Sequence, residues 1–279
     1  MQTLREQVAV VTGASRGAGR AIALQLGEAG ATVYVTGRSV RGAPTTENLP
    51  GTVDETAEEV TARGGTGIAV RCDHTIVADV EALFSQVQRE QARLDLLVNN
   101  VWGGYEHYDG AEFVEPFWEQ PLRRWDGMFI AGARAHLLAS RFAAPLMLPQ
   151  RSGLIVNTVA WAFDKYLGNL FYDVAKAAII RMAFGMAEEL RPHGIAAVAL
   201  APGFMRTERV MAEHARSPFD LSVTESPEYL GRAVAALAAD PEVLTKSGRL
   251  LTAGDLAREY GFTDIDGRQP EAFRIPDAT

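Results

Sequence analysis

Short apolar runs alternate along the chain with longer segments in which apolar residues recur at helical spacing. Runs such as "VAVVT" and "TVYVT", rich in Val and Tyr, predict strands. Segments such as "AGRAIALQLGEAG" are amphipathic and end in glycine, which predicts helices. The predicted strands cover residues 7–12, 32–36, 67–73, 94–100, 153–158, 195–203 and 247–253. The predicted helices cover residues 18–30, 53–63, 77–91, 122–148, 169–191 and 226–240.

This alternation of strands and helices predicts the fold class. Repeated strand–helix–strand units give right-handed crossovers and an α/β fold with a doubly wound parallel sheet, covered by helices on both faces. Strands that are apolar almost throughout agree with burial on both faces. We expect one domain over residues 1–279, with about 261–279 as a C-terminal tail. Ligands of such sheets bind at the carboxyl ends of the strands, so the loops that follow the strands are the candidate site.

Composition and charge exclude several classes of partner. A net charge of -8 with scattered basic residues argues against nucleic acid and against an anionic membrane surface. The single cysteine, Cys72, allows no internal disulfide, and no stretch is apolar and long enough for a membrane span. We therefore expect a soluble cytoplasmic protein. The five histidines are scattered without metal-ligand spacing, so no metal site is predicted.

The first strand-to-helix turn, "VVTGASRGAGRAIA", carries glycines at positions 13, 17 and 19. Gly13, Gly17 and Gly19 permit a tight turn and let backbone N–H groups approach a pyrophosphate at the start of the helix. A glycine-rich turn alone is weak evidence, but its place between the first strand and the first helix makes it specific. The motif predicts a dinucleotide-binding loop.

The end of the second strand predicts which dinucleotide binds. An acidic residue there would accept from the 2′-hydroxyl of NAD, but this strand ends in "VTGRSV" without one. Arg38 stands there instead, with Ser15 and Arg16 in the glycine loop, and a guanidinium suits a 2′-phosphate. We therefore favour NADP over NAD; the alternative for Arg38 is a solvated surface side chain. Asp73, after the third strand, either accepts from the adenine amino group or forms a turn.

The motifs "TGASRGAG", "LVNN", "YDVAK" and "APGFMRT", in this order, resemble those of the short-chain dehydrogenase/reductase family. The resemblance covers the chain to about residue 260, and residues 224–268 resemble one branch of the family. It implies a single Rossmann-type domain, a nicotinamide cofactor and hydride transfer between a carbonyl and an alcohol. It also implies a homo-oligomer, a dimer or tetramer packed through the two long helices of the middle region.

The resemblance also implies roles for individual residues. Tyr172 would be the proton donor to the carbonyl oxygen, and Lys176 would bind the nicotinamide ribose and lower the tyrosine pKa. Elementary chemistry supports the pair, because residues i and i+4 share a helix face and a nearby cation favours a phenolate. The other residues expected to line the cofactor are Asn99, Thr158, Pro202, Gly203 and Thr207.

Two positions depart from the family pattern. The catalytic serine, expected 12 or 13 residues before Tyr172, is replaced by Ala160 and Val159, and the helix asparagine is replaced by Gly132. A glycine inside a helix suggests a kink or a close neighbour. Three interpretations stay open: a reductase in which Tyr166 or a water replaces the serine, an enzyme of atypical or non-redox chemistry, and an NADP-binding protein without catalysis.

Aromatic residues gather in the loops that follow the strands. They suit a bulky apolar carbonyl substrate, although ordinary loop packing accounts for some of them. The residues predicted to contact substrate are Trp102, Trp161, Tyr166 and Phe204. Tyr105, His107 and Tyr108 belong to the same aromatic group, and His107 is either a donor to substrate or a surface histidine.

Overall fold

A seven-stranded, fully parallel sheet forms the centre of the protein, in the order β3-β2-β1-β4-β5-β6-β7. The computed structural model describes residues 4–106, 113–163 and 165–275. The strands are β1 (Val8–Thr12), β2 (Thr32–Gly37), β3 (Thr66–Arg71), β4 (Leu96–Asn99), β5 (Gly153–Thr158), β6 (Ile195–Ala201) and β7 (Leu250–Thr252). The predicted strands are all present, and β7 is the one whose length is most overestimated.

Helices cover both faces of this sheet, which confirms the predicted fold class. Over the described residues they are α1 (Gly17–Glu28), α2 (Val53–Ala62), α3 (Val77–Gln91), α4 (Leu122–Met128), α5 (Ala135–Met147), α6 (Leu170–Leu190), α7 (Glu208–Arg216), α8 (Pro227–Ala239) and α9 (Ala253–Tyr260). One hydrophobic core lies between the sheet and helices α1, α2, α8 and α9. A second core lies on the opposite face, against α3, α5 and α6. No helix in the described part of the chain is long and apolar enough to cross a membrane.

The strand order reverses at β1, which pairs with β2 on one side and β4 on the other. The loops after β1 and β4 therefore meet above the same edge of the sheet, where α/β proteins bind ligands. The approach is close, since a Cβ on Gly13 would lie 2.8 Å from the Cα of Val101. The topology thus places the glycine loop against the "NNVWGG" loop.

The long helix predicted over residues 122–148 is interrupted. A π-helical segment, Phe129–Arg134, separates α4 from α5, and Ala131 inside it has non-helical backbone angles. Gly132 lies in this segment against the indole of Trp102, and a Cβ at residue 132 would lie 2.7 Å from the ring. Both structural features that the sequence suggested for this glycine, a kink and a close neighbour, are therefore present.

Residues 261–275 pack back onto the body of the protein. The Asp264 side chain is buried and accepts from the backbone N–H and the hydroxyl of Ser226, the N-cap of α8. The hydroxyl of Tyr229 donates to the carbonyl of Pro270 at 3.0 Å. This path brings Phe273 to the wall of the main cleft. The segment beyond residue 260 therefore contributes to the region of the site.

Candidate active site

A cleft of about 810 Å³ opens above the carboxyl ends of the strands. It is bounded by the glycine loop, the loop that follows β4, the first turns of α6 and residues 202–213. Most of the predicted site residues line it: Gly13, Ser15, Arg16, Gly17, Arg38, Asp73, Trp102, Thr158, Trp161, Tyr172, Lys176, Pro202, Gly203, Phe204 and Thr207. One end of the cleft is polar and glycine-rich, and the other is aromatic.

The glycine loop has the backbone geometry that a bound pyrophosphate requires. Gly13 and Gly17 have φ angles of +66° and +56°, in the region that favours glycine. A Cβ on Gly19 would lie 2.2 Å from the carbonyl oxygen of Gly13, so no side chain fits there. Asn100 braces the turn, because its amide donates to the carbonyls of Thr12 and Gly13. The loop fits a dinucleotide, with the N–H groups at the start of α1 facing the cleft.

A carboxylate from α7 reaches this loop. Oε1 of Glu208 accepts from the backbone N–H of Gly17 at 3.2 Å. The next residue, Arg209, forms an ion pair with Glu47 at 2.5 Å on the far side of the cleft. Helix α7, which the sequence analysis did not predict, is thereby tied across the cleft by two adjacent side chains.

Two arginines stand where the adenosine ribose of a dinucleotide would lie. Arg38 follows β2 and pairs with Glu106, and Arg16 donates to Oγ of Ser39 and to the carbonyl of Pro50, each at 2.9 Å. Burial lowers the pKa of Arg16 from its usual value, although it remains a cation. No acidic residue ends β2, although the carboxylates of Glu47 and Glu106 also line this part of the cleft and pair with arginines there.

Asp73 forms a turn after β3. Its Oδ1 accepts from both the backbone N–H and the hydroxyl of Thr75, at 2.9 and 2.7 Å. Burial opposes ionisation, but these hydrogen bonds hold the pKa of Asp73 below its usual value. The turn-forming interpretation is therefore observed. Because Asp73 also lines the cleft, its predicted contact with adenine stays a prediction.

Asn99 was expected to line the cofactor, but it does not face the cleft. Its side chain is completely buried, and its amide donates to Ser140 and Asn157 at 2.8 and 3.0 Å. Successive residues of a strand point to opposite faces, so it is Asn100 that reaches the glycine loop. Thr158 lines the cleft, and its hydroxyl donates to the carbonyl of Asn99 at 3.3 Å.

Tyr172 and Lys176 lie on the first turns of α6. The helix begins at the N-cap Asn169, whose side chain accepts from the backbone N–H of Tyr172 at 3.0 Å. Lys176 is buried, and its Nζ lies 3.6 Å from the centre of the Trp102 ring and 5.4 Å from that of Tyr172. Burial lowers the pKa of Lys176 to about 7. A cation–π contact with Trp102 favours the charged form of this lysine.

Tyr172 is enclosed by other aromatic rings. The ring centres of Trp102, Phe113 and Tyr105 lie 5.4, 5.5 and 6.2 Å from its own. Its side chain lies close enough to that of Tyr105 for each to influence the pKa of the other. Burial, and then the Tyr105 side chain, raise the pKa of Tyr172 well above 10. In this state Tyr172 holds its proton, as a proton donor must.

The serine position carries no hydroxyl. Val159 and Ala160 both line the cleft, and neither can donate a hydrogen bond from its side chain. Tyr166, the predicted substitute, is more than half exposed. It is not among the residues that line the main cleft, but it borders a second cavity of about 330 Å³ that shares Ala160, Trp161 and Lys176 with that cleft. The contact of Tyr166 with substrate therefore stays a prediction.

The aromatic end of the cleft contains residues beyond those predicted to contact substrate. Trp102, Trp161 and Phe204 line it as predicted, and Tyr105, Phe113 and Phe273 join them. The density of aromatics in the loop after β4 was the signal for Tyr105. His107 and Tyr108 lie outside the described residues. The described residues hold no cluster of side chains suited to a metal ion.

Comparisons of the sequence and of the structure with known proteins point to one family. Residues 7–217 match the family model for short chain dehydrogenase. The chain is 43% identical over 277 residues to dehydrogenase/reductase SDR family member 1 of Mus musculus, covering 95% of this chain and 85% of that protein. It is 42% identical over 282 residues to the Homo sapiens protein of the same name, covering 96% and 86%. A crystal structure of a short chain dehydrogenase from Mycobacterium thermoresistibile gives a TM-score of 0.81 at 26% identity, over 97% of this chain and 95% of that one.

A doubly wound parallel sheet with a glycine loop and a Tyr–Lys pair in one cleft defines a nicotinamide-dependent oxidoreductase. With the match over residues 7–217, the chain belongs to the short-chain dehydrogenase/reductase family, as its motifs predicted.

Proposed function

We propose that this protein is an NADP-dependent oxidoreductase that transfers a hydride between NADPH and a bulky apolar carbonyl or alcohol substrate. The observation that carries the proposal is the joint presence of Tyr172, Lys176 and the glycine loop in one cleft whose other wall is aromatic. The polar end suits a dinucleotide, and the aromatic end suits a large apolar molecule.

The preference for NADP rests on charge. Arg16 and Arg38 both line the cleft beside the end of β2, where an acidic residue would repel a 2′-phosphate. A guanidinium can bind a phosphate through two parallel hydrogen bonds. Arg38 is paired with Glu106 and would exchange that carboxylate for the phosphate.

The remaining cofactor contacts follow from the same geometry. The N–H groups at the start of α1 would hold the pyrophosphate, Lys176 the nicotinamide ribose, and residues 202–207 the carboxamide. A nicotinamide bound there would supply or accept the hydride. Tyr172 would donate its proton to the carbonyl oxygen, and the Lys176 cation would stabilise the phenolate that remains. Trp102 holds the lysine ammonium close to Tyr172.

Two further properties belong to the proposal. Exposed apolar side chains on α5 and α6, namely Leu137, Val174 and Phe184, support a homo-oligomer packed through these helices. A single, buried cysteine, Cys72, supports the cytoplasm as the compartment.

The proposal is tested by titrating the purified protein with NADPH and NADH through tryptophan fluorescence, and then by following NADPH oxidation with bulky ketones and quinones. We expect NADPH to bind at least about tenfold more tightly than NADH, the effect of one good ionic contact. Arg38→Ala should abolish that preference. Arg41→Ala is the matched control, since Arg41 is exposed and pairs with Glu58 outside the cleft. Equal affinity for both cofactors would contradict the NADP assignment.

A second function is favoured by Ala160, because the missing hydroxyl removes one hydrogen bond to a reacting oxygen. Loss of one such donor commonly costs about 2.7–4 kcal/mol of transition-state stabilisation. An NADP-binding protein with atypical, non-redox or lost catalysis is the alternative. Tight NADPH binding without turnover of any carbonyl would support it, whereas turnover that Tyr172→Phe abolishes would support the reductase.

A further inference from the structure

We propose that the hydroxyl of Tyr105 is the second hydrogen-bond donor to the substrate's carbonyl oxygen, the task for which residue 160 has no hydroxyl. This assignment rests on the proposed oxidoreductase function. It makes Tyr105 a catalytic residue beside Tyr172, supplied by the loop after β4 rather than by the loop after β5.

The side chains of Tyr105 and Tyr172 lie side by side in the cleft. Their rings are nearly parallel, at 24°, with centres 6.2 Å apart, and each side chain influences the pKa of the other. A carbonyl oxygen has two lone pairs and accepts two hydrogen bonds. A substrate oxygen placed between the two hydroxyls would therefore accept one hydrogen bond from each.

The loop that carries Tyr105 is built to hold it there. The N–H of Gly103 donates to the carbonyl of Ala131, and a Cβ on Gly104 would lie 2.5 Å from the indole of Trp102. The two glycines allow the chain to turn tightly against Trp102, which directs Tyr105 back into the cleft. The guanidinium of Arg209 lies 5.4 Å from the centre of the Tyr105 ring. Packing on both sides fixes the ring before substrate arrives.

Tyr105 has a single role in the proposed reaction. It donates a hydrogen bond that strengthens as negative charge develops on the carbonyl oxygen, and it keeps its own proton throughout. Tyr172 loses its proton to that oxygen, and its phenolate lies near Lys176. Burial raises the pKa of Tyr105, so the hydroxyl stays protonated and able to donate at neutral pH.

The test compares turnover in five proteins: wild type, Tyr105→Phe, Ala160→Ser, the double variant Tyr105→Phe/Ala160→Ser, and Tyr34→Phe. We expect Tyr105→Phe to lower kcat and kcat/KM together by about 10²–10³-fold, because the interaction is made in the transition state. The NADPH dissociation constant should stay within about two-fold of wild type, since Tyr105 is not assigned to the cofactor. The double variant should turn over at least about tenfold faster than Tyr105→Phe alone, because the introduced serine hydroxyl would supply the lost hydrogen bond.

Tyr34→Phe is the matched control, because it removes the same hydroxyl from a tyrosine of β2 that donates to Glu90 and does not line the cleft, and it should leave turnover unchanged. Thermal unfolding of each variant identifies any that fail to fold. If Tyr172→Phe abolishes turnover but Tyr105→Phe keeps it within about two-fold of wild type, the role of Tyr105 is overturned and the oxidoreductase function is not. If Tyr105→Phe lowers turnover and the double variant is no faster, the loss is a packing effect, and the role of Tyr105 is again overturned. No turnover by wild type on any carbonyl would overturn the oxidoreductase function, and this role with it.

Discussion

The indole of Trp102 occupies the space that a side chain at residue 132 would need. A Cβ there would lie 2.7 and 2.9 Å from two ring carbons. The Lys176 ammonium also contacts this indole, with its Nζ 3.6 Å from the ring centre. The replacement of the family's helix asparagine by Gly132 and the position of the Trp102 ring are therefore one coupled arrangement. The ring fills the space that the glycine leaves and contacts the Lys176 ammonium.

Gly132→Ala tests that arrangement. Alanine forms helices better than glycine, yet its methyl group would overlap the indole. We expect the free energy of unfolding to fall by about 1–3 kcal/mol, the usual cost of overpacking. Denaturant unfolding measures the change. Gly185→Ala in α6 is the matched control, because its Cβ would meet nothing within 4 Å, and it should raise stability by up to about 1 kcal/mol. A Gly132→Ala protein as stable as wild type would contradict the close contact.

The second prediction concerns pH. Burial lowers the pKa of Lys176 to about 7, so the side chain loses its charge as the pH rises through that value. An anionic dinucleotide prefers the charged form. We therefore expect the NADPH dissociation constant to increase above about pH 7, by up to about tenfold per pH unit. Fluorescence titration between about pH 6 and about pH 9 measures it.

Two variants locate the cause of this pH dependence. Lys176→Met removes the titrating group and should flatten the profile above about pH 7. Trp102→Leu removes the aromatic face beside the ammonium, which is worth about 0.5–2 kcal/mol, and should move the break to lower pH by about 0.4–1.5 units. An NADPH affinity that is constant over the whole range in wild type would show that Lys176 stays charged.

The third prediction concerns Glu208. Its carboxylate accepts from the Gly17 N–H at the start of α1, where the pyrophosphate is expected. Glu208→Gln removes a negative charge that competes with the ligand, so we expect cofactor affinity to increase about 2- to 10-fold, as for one charge at a helix N-terminus. Calorimetric titration with NADPH measures the change. Glu213→Gln removes the same charge from α7, but its carboxylate lies near Arg216 and should matter less. Equal effects of the two variants would indicate only a general electrostatic influence.

Most of the fold was accessible from the sequence, because strands buried on both faces leave apolar runs that are hard to mistake. The glycine loop and the Tyr172–Lys176 pair were accessible for a similar reason. Each depends on local backbone geometry or on helical spacing, which neighbouring residues determine. The cleft indeed brings these two motifs together.

The remaining features depended on tertiary contacts. The family resemblance placed Asn99 at the cofactor, but the direction in which a strand's last residue points depends on the strand, and here Asn99 is buried against Ser140 while Asn100 reaches the glycine loop. Tyr105 and Tyr166 are both loop tyrosines, and only the path of each loop shows that one enters the cleft and the other faces outward. The sequence suggested a kink or a close neighbour at Gly132, but only the structure identifies that neighbour as Trp102, which is distant in sequence.

Helix α7 links the two ends of the cleft mechanically. Glu208 holds it at the glycine loop, and Arg209 lies beside the ring of Tyr105 at the aromatic end. Under the proposed function, a dinucleotide that takes the Gly17 N–H would release one anchor of this helix, which borders the expected substrate position. Binding should therefore follow a compulsory order, with NADPH entering first and the carbonyl compound second. In steady-state kinetics, a dead-end analogue of the carbonyl compound would then be uncompetitive against NADPH.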